Sequence, residues 1–526
     1  LNVNDLHTAD IVIGQSIEKW GMGEGVNGGN SNSLFPGSWD HAWLSNTQGI
    51  TANETSVGGS PWGEGAIASF FGRVNYDFQE KYLATFILRA DGSSNFARGN
   101  RWGYFPSVSA GWVVTNEPFM ESTRSWLDFL KFRGSWGQNG NADIAPFQYL
   151  ATISFDKKNG YYFGNNKTDL VTGAYADILP NPDLTWETSE QLNLGLDARL
   201  FDSRLGVVFD WYKKTTKDWL VVAPILASYG TNPPYINGGD IENKGYEVGL
   251  DWRDKIADLN YGANINFTHN KNKVLRIANA EGIIHGDENV LSQGTKEMYR
   301  AEVGFPIGYF WGYKTAGVFQ NADEVASTQA KLEGAQPGDL IFVDTNEDGA
   351  ITDDDKVMIG DPNPDFQANF SLNLGYKGFD FSLTAVGKFG HQIAKSYRSF
   401  ADSPLQNYTT EIFERWHGEG TSNRLPRLTS GSHTNWQNIS DIYIEDGDYM
   451  KLQNLTIGYD FKQLFAKMPL SQARIYFTAQ NLFTITNYSG MDPEVGYGYD
   501  KSWVSGIDLG FYPSPRTYLV GVNIKF

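Results

Sequence analysis

Apolar and polar residues alternate with a period of two along much of this chain. In QLNLGLDARL, Leu192, Leu194, Leu196, Ala198 and Leu200 share one side, opposite Gln191, Asn193, Gly195, Asp197 and Arg199. AIASFFGRVNYDF sets Phe70, Val74, Tyr76 and Phe78 against Phe71, Arg73, Asn75 and Asp77. The closing TYLVGVNIKF sets Tyr518, Val520, Val522, Ile524 and Phe526 against Leu519, Gly521, Asn523 and Lys525. Successive side chains of a β-strand point to opposite faces, so such stretches read as strands with one apolar face. The pattern predicts about fourteen of them. They lie near 4–18, 67–78, 81–90, 104–115, 126–136, 187–200, 204–213, 244–254, 258–270, 366–376, 378–389, 448–461, 472–485 and 516–526.

Two architectures share this pattern. In a soluble sandwich the apolar faces meet in a core. In a membrane barrel they meet lipid, and the charged faces line the interior. The connections separate the two. Short turns near Gln79, Asp202, Lys255 and Gly378 alternate with long segments at roughly 21–65, 137–184, 214–242, 271–365, 389–447 and 486–515. A barrel of the outer-membrane kind has short turns at one end and long loops at the other, whereas structureless loops of this length are rare in compact domains. The predicted fold is therefore all-β, a transmembrane antiparallel β-barrel with long extracellular loops. Parity puts the long segments outside and the C-terminus in the periplasm. It also makes 271–365 one outer excursion, although YFWGYKTAGVF within it is strand-like. The longest nearly apolar stretch, WLVVAPILASYG from Trp219, is too short for a membrane helix, which needs about 20 residues.

Composition narrows the chemistry. Acidic residues outnumber basic ones by 61 to 42, a net charge of −19, which argues against a nucleic-acid partner. Cysteine is absent, so disulfides and thiolate metal sites are excluded. The histidines are scattered without HxxxH spacing, and there is no P-loop, G-x-S-x-G or cysteine nucleophile. No enzymatic constellation emerges, and the chain is not expected to be an enzyme.

One motif has ligand spacing. In DTNEDGAITDDD, Asp344, Asn346 and Asp348 hold positions one, three and five of a calcium-type loop. Gly349 follows at six, with Ala350 at seven, Thr352 at nine and Asp355 at twelve. Oxygen ligands so spaced wrap a Ca²⁺ ion, and the alternative is an Asx-rich turn without one. Outer-loop aromatics are candidates for contact with a ligand or a capping protein: Tyr161 and Tyr162, Trp311, Trp416, and Trp436. The alternative for each is packing of loop against loop.

Several stretches carry a family likeness. FGRVNYDFQEKYLATFILRADGSSNFARGNRWGYFPSVSAGW, LKFRGSWGQNGN and NPDLTWETSEQLNLGLDARLF are three of them. GDLIFVDTNEDGAITDDDKVMIGDPNPDFQANFSLNLGYKGFDFSL, DYMKLQNLTIGYDF, YFTAQNLFTIT and PSPRTYLVGVNIKF are the others. In this order they resemble the SusC/RagA family of TonB-dependent outer-membrane transporters. The resemblance implies a barrel of about 22 strands, of which this chain would supply the C-terminal part. It implies an N-terminal plug and TonB box outside these residues, and the N-terminal remainder of the barrel as a partner. It also implies a SusD-like surface lipoprotein as a hinged lid, pairing of two such complexes, and lipid and lipopolysaccharide around the wall. Tyr518 and the terminal Phe526 resemble the C-terminal assembly signal of such barrels. The function implied is active import of a large nutrient, an oligosaccharide or a peptide. The alternatives are a scaffolding barrel of a surface complex or a passive porin.

Overall fold

The computed structural model describes the chain apart from residues 1, 4–5, 21–24, 49–54, 61–64, 162–170, 223–226, 292–294, 396–408, 430–432, 466 and 497–502. One fifteen-stranded sheet dominates it. Its members follow sequence order, and each pairs antiparallel with the next. One is the two-residue strand Asn2–Val3 at the edge. The remainder are long: β1 (His7–Trp20), β2 (Gly65–Phe78), β3 (Tyr82–Ser93), β4 (Trp102–Val113), β5 (Leu127–Asn141), β6 (Glu187–Leu200), β7 (Leu205–Lys217), β8 (Gly239–Ile256), β9 (Leu259–Ile277), β10 (Phe366–Tyr376), β11 (Phe379–Phe389), β12 (Tyr449–Asp460), β13 (Gln472–Thr486) and β14 (Thr517–Lys525). Among the described residues no helix is long and apolar enough to cross a membrane, which says nothing of strands.

The connections sort by end. Residues 79–81, 201–204, 257–258 and 377–378 turn tightly at one end, joined there by 114–126 and 461–471. The tight turns are built from left-handed residues: Gln79 and Glu80, Phe201, Asp202 and Ser203, Lys377 and Gly378 all have positive φ. Two successive left-handed residues match the twist of the strands they join. The opposite end carries 21–64, 142–186, 218–238, 278–365, 390–448 and 487–516, together with the shorter 94–101.

Register turns the alternation into two walls. Leu374, Phe381, Ile457, Phe477 and Val520 form one lateral row across β10 to β14, and Leu372, Leu383, Leu455, Ala479 and Tyr518 the next. This side is bare. Val520 is 73% exposed and the terminal Phe526 95%, with Ile11, Ile13, Phe70, Leu194 and Ile475 also uncovered. Soluble monomers leave apolar patches of only a few hundred Å². A wall of this extent needs lipid or another apolar partner. The strands are long enough: β8 and β9 have 18 and 19 residues, against about 9–11 for one crossing. Both therefore continue past the hydrocarbon at the loop end.

The apolar core lies in the loops and not between sheet layers. Its main cluster runs from Leu291 to Ile507 and draws on 278–365, 390–448 and 487–516. A second cluster, including Trp219, Val274 and Ile284, seats these loops on the ends of β8 and β9. The excursion predicted to open at 271 opens at 278, because pairing between β8 and β9 continues to Ile277.

Arginine at Val520 tests the solvent of the bare wall. Facing lipid, Val520→Arg costs about 2–4 kcal/mol and depletes folded protein from the outer membrane. Facing water, it costs less than about 0.5 kcal/mol. The folded fraction, read by heat-dependent gel mobility, distinguishes the two.

Candidate functional site: inner wall and loop assembly

The polar side of the sheet is laced by ion pairs that cross a middle strand. Arg133 on β5 donates from its Nε to Asp197 on β6, and from both terminal nitrogens to Asp210 on β7 at 2.6 Å. The register explains the reach. Arg133 lies opposite Gly195, and Gly195 opposite Asp210. A Cβ on Gly195 would lie 2.5 Å from the guanidinium carbon, so the arginine as placed crosses over a residue without a side chain. The same device recurs twice. Arg199 reaches Asp251 at 2.8 Å over Gly206, and Arg474 reaches Asp380 at 2.5 Å beside Gly458. Bidentate guanidinium–carboxylate pairs fix geometry as well as charge. The inner wall is thus polar, stapled across three strands at a time, and of mixed sign.

Above it, the three loops 278–365, 390–448 and 487–516 pack as one body. Four short strands, Ile283–His285, Tyr299–Glu302, Tyr309–Gly312 and Val357–Gly360, make a small sheet. Gln392–Lys395 pairs antiparallel with Ile444–Asp446 and parallel with Ile507–Asp508, which ties the excursions 390–448 and 487–516 together. The strand-like YFWGYKTAGVF holds Tyr309–Gly312 and Thr315–Val318, as its alternation predicts.

The aromatic candidates distribute unevenly. Trp436 is 4% exposed within the loop core, edge-on to Tyr443 at 6.1 Å, and is not available to a ligand. Trp416 packs partly buried against the same core, over Gly338. Its ring and that of Trp436 fold loop onto loop because apolar neighbours surround them. Trp311 is partly buried, with the Arg300 guanidinium 3.8 Å from its ring centroid, a cation–π contact at the edge of the assembly. Tyr162 lies outside the described residues, as does the side chain of Tyr161.

The 344–355 loop closes on itself. Asp355 is fully buried. Its carboxylate accepts from the backbone N–H of Thr345 at 2.9 Å and of Thr352 at 2.7 Å. Burial pushes this carboxyl up, and the N–H groups of Thr352, Thr345 and Asn346 outweigh it and hold it low. Asp344 accepts from Gly349 N–H at 2.8 Å, Asn346 from Asp348 N–H at 2.9 Å, and Asp348 from Ala350 N–H at 2.9 Å. Gly349 makes the sharp turn at φ +88°. Among the described residues no three acidic or histidine side chains converge on a cation position. The oxygens that the spacing offers to Ca²⁺ accept from the loop's own N–H groups, and each carboxylate keeps lone pairs that these bonds do not use.

Sequence reasoning passed over a charged cluster beside Trp311. His285 bonds Glu297 through Nδ1 at 2.9 Å and Glu281 through Nε2 at 3.1 Å. Arg300 in turn donates to Glu297 at 2.8 Å, and the Tyr309 hydroxyl donates to Glu302. No motif signals this set, because its members meet only when the small loop sheet pairs.

Two measurements follow from the loop geometry. Asp344→Ala with Asp348→Ala removes acceptors worth about 1 kcal/mol each and raises protease cleavage within 340–356 about tenfold or more. If the loop holds a cation, EDTA raises cleavage of the unsubstituted protein as well, and unchanged cleavage with and without EDTA counts against the site. For His285, burial works to lower the pKa and the two glutamates more than offset it, so the value is raised. A raised folded value stabilises fully below the ordinary histidine range and is lost as pH rises through the folded value. Amide protection across 281–302 therefore falls as pH is taken from about 6 to about 9, by less than about 1 kcal/mol at so open a site. His285→Gln abolishes that slope.

Residues 6–482 match the family described as TonB dependent receptor-like, beta-barrel. The TonB-dependent receptor P3 of Formosa agariphila is 34% identical over 471 residues, covering 88% of this chain and 46% of that protein. The TonB-dependent receptor SusC of Bacteroides thetaiotaomicron is 29% identical, covering 88% of this chain and 44% of that protein. The structure of the RagAB peptide transporter superposes with a TM-score of 0.79 at 24% identity, over 100% of this chain and 54% of that one. The chain spans about half the length of the curated relatives it matches. The lateral rows, the alternating short and long connections and these likenesses agree: the chain belongs to the TonB-dependent receptor-like β-barrel family.

Proposed function

We propose that this chain is the C-terminal part of an outer-membrane importer that takes up a large nutrient, an oligosaccharide or a peptide, under TonB drive. The observation that carries the reading is the pair of walls: a bare apolar face on one side and an ion-paired face on the other. That pairing of faces suits a closed barrel in lipid with a wet interior. β1 pairs with β2 and with the short Asn2–Val3 strand, and β14 pairs with β13. Lipid does not tolerate unpaired strand edges, so the N-terminal remainder of the barrel would complete both. The packed loop body would form the outer rim on which a SusD-like lipoprotein sits as a lid, with the short turns and the C-terminus in the periplasm. The inner wall binds water and polar solute without chemistry, and nothing in the arrangement calls for a catalytic step.

The test uses the full-length protein in its native outer membrane. Deleting it abolishes growth on one class of oligosaccharide or peptide, depleting TonB has the same effect, and a surface lipoprotein co-purifies with it. Uptake that survives TonB depletion would indicate a passive porin. A lipoprotein-free complex with surface enzymes and no uptake defect would indicate a scaffold.

A further inference from the structure

The outward face of the loop end carries a row of lysines at a place where lipid is expected. Lys213 on β7 lies directly opposite Lys244 on β8, and Lys244 opposite Lys271 on β9. Lys273 stands two residues further along β9 on the same side. Facing strands lie about 4.8 Å apart, and like charges directly opposite one another destabilise a sheet. The chain places them so despite a net charge of −19. Nearby acids neutralise only its flank, although Glu242 stands directly opposite Lys273 in register. Glu242 is taken by Lys213 at 2.8 Å, and Glu190 by Lys217 at 2.6 Å. Lys244, Lys271 and Lys273 are exposed and, among the described residues, have no ion pair.

What lies beneath identifies the occupant. One row nearer the membrane centre on the same face are Trp211, Tyr246 and His269. Tyr246 and His269 have ring centroids 5.2 Å apart, and His269 and Phe366 4.8 Å. Aromatic belts of this kind mark the level of lipid headgroups. Below them the wall is apolar, through Phe209, Val248 and Ile265. Acyl chain, aromatic belt and free cations therefore follow one another along the strands, which is the order of parts in a phosphate-bearing lipid.

We propose that Lys244, Lys271 and Lys273, with Lys213 at the flank, hold the phosphate of an anionic lipid of the loop-side leaflet. The inference rests on the membrane reading above. The ammonium groups neutralise the phosphate, the belt seats the glycerol or sugar level, and the apolar wall takes the chains. The lipid in turn relieves repulsion along the row.

The experiment places the full-length protein in nanodiscs containing lipid A alongside a neutral lipid, and counts retained lipid by native mass spectrometry. Wild-type protein retains lipid A, and Lys244→Gln with Lys271→Gln and Lys273→Gln lowers retention about tenfold or more. Chemically dephosphorylated lipid A is retained no better by wild type than by the triple variant. Excess inorganic phosphate does not displace the lipid, since the chains contribute to its hold. Equal retention by wild type and variant, indifference to dephosphorylation, or displacement by free phosphate each overturns the lipid site. Failure of the wild-type protein to enter the bilayer overturns the membrane reading instead.

Discussion

Every strand of the long sheet is bonded to its neighbours through backbone groups, and this requirement orders the rest of the molecule. An antiparallel ladder between sequential strands satisfies N–H and C=O groups without calling on water. Once the ladder is set, the period of two leaves no freedom about faces, since a slip of one residue would exchange the walls. The apolar rows through Phe477 and Val520, the ion pairs of Arg133 and Arg474, and the lysine row all follow from one register. Left-handed turns at one end hold that register, and the loops at the other end are free to become something else.

The inner wall shows how the register is used. In these three pairs the arginine reaches an acid two strands away over or beside a residue without a side chain. Gly195, Gly206 and Gly458 are therefore part of the ion pairs. Glycine in a strand ordinarily weakens it. Here the gain is a staple that binds three strands at once, on the side where solvent, not lipid, fills the space.

Much of the barrel was legible in the sequence, because alternation and turn residues are local signals. The fourteen predicted strands correspond to β1–β14, with ends moved by a few residues. The largest shift is at β9, predicted to end at 270 and extending to Ile277, and β8, predicted to begin at 244, begins at Gly239. There the apolar face gives way to Lys244, Lys271 and Lys273, so the alternation fades while the ladder continues. The loop body was not legible. Its core joins Leu291, Trp436 and Ile507, residues too distant in sequence for any window to connect. Trp436 therefore looked like a contact residue when it is a packing residue. The 344–355 spacing was legible as a turn, and its oxygens do meet the loop's own N–H groups.

The shared loop core also bears on how such a chain can change over generations. Segments at the loop end of a barrel are the natural place for substitution and exchange, since the ladder below does not depend on them. In this chain 278–365, 390–448 and 487–516 contribute to one core and are bound by the parallel pairing of Ala394 with Ile507. A loop transplanted alone from a relative would leave its former neighbours with an ill-fitting cavity. Inheritance is then expected to treat the three segments as a cassette, recombined together or left together, while 142–186 is bound instead to 94–101 and 218–238 through the smaller core of Phe96, Ile144, Leu184 and Trp186.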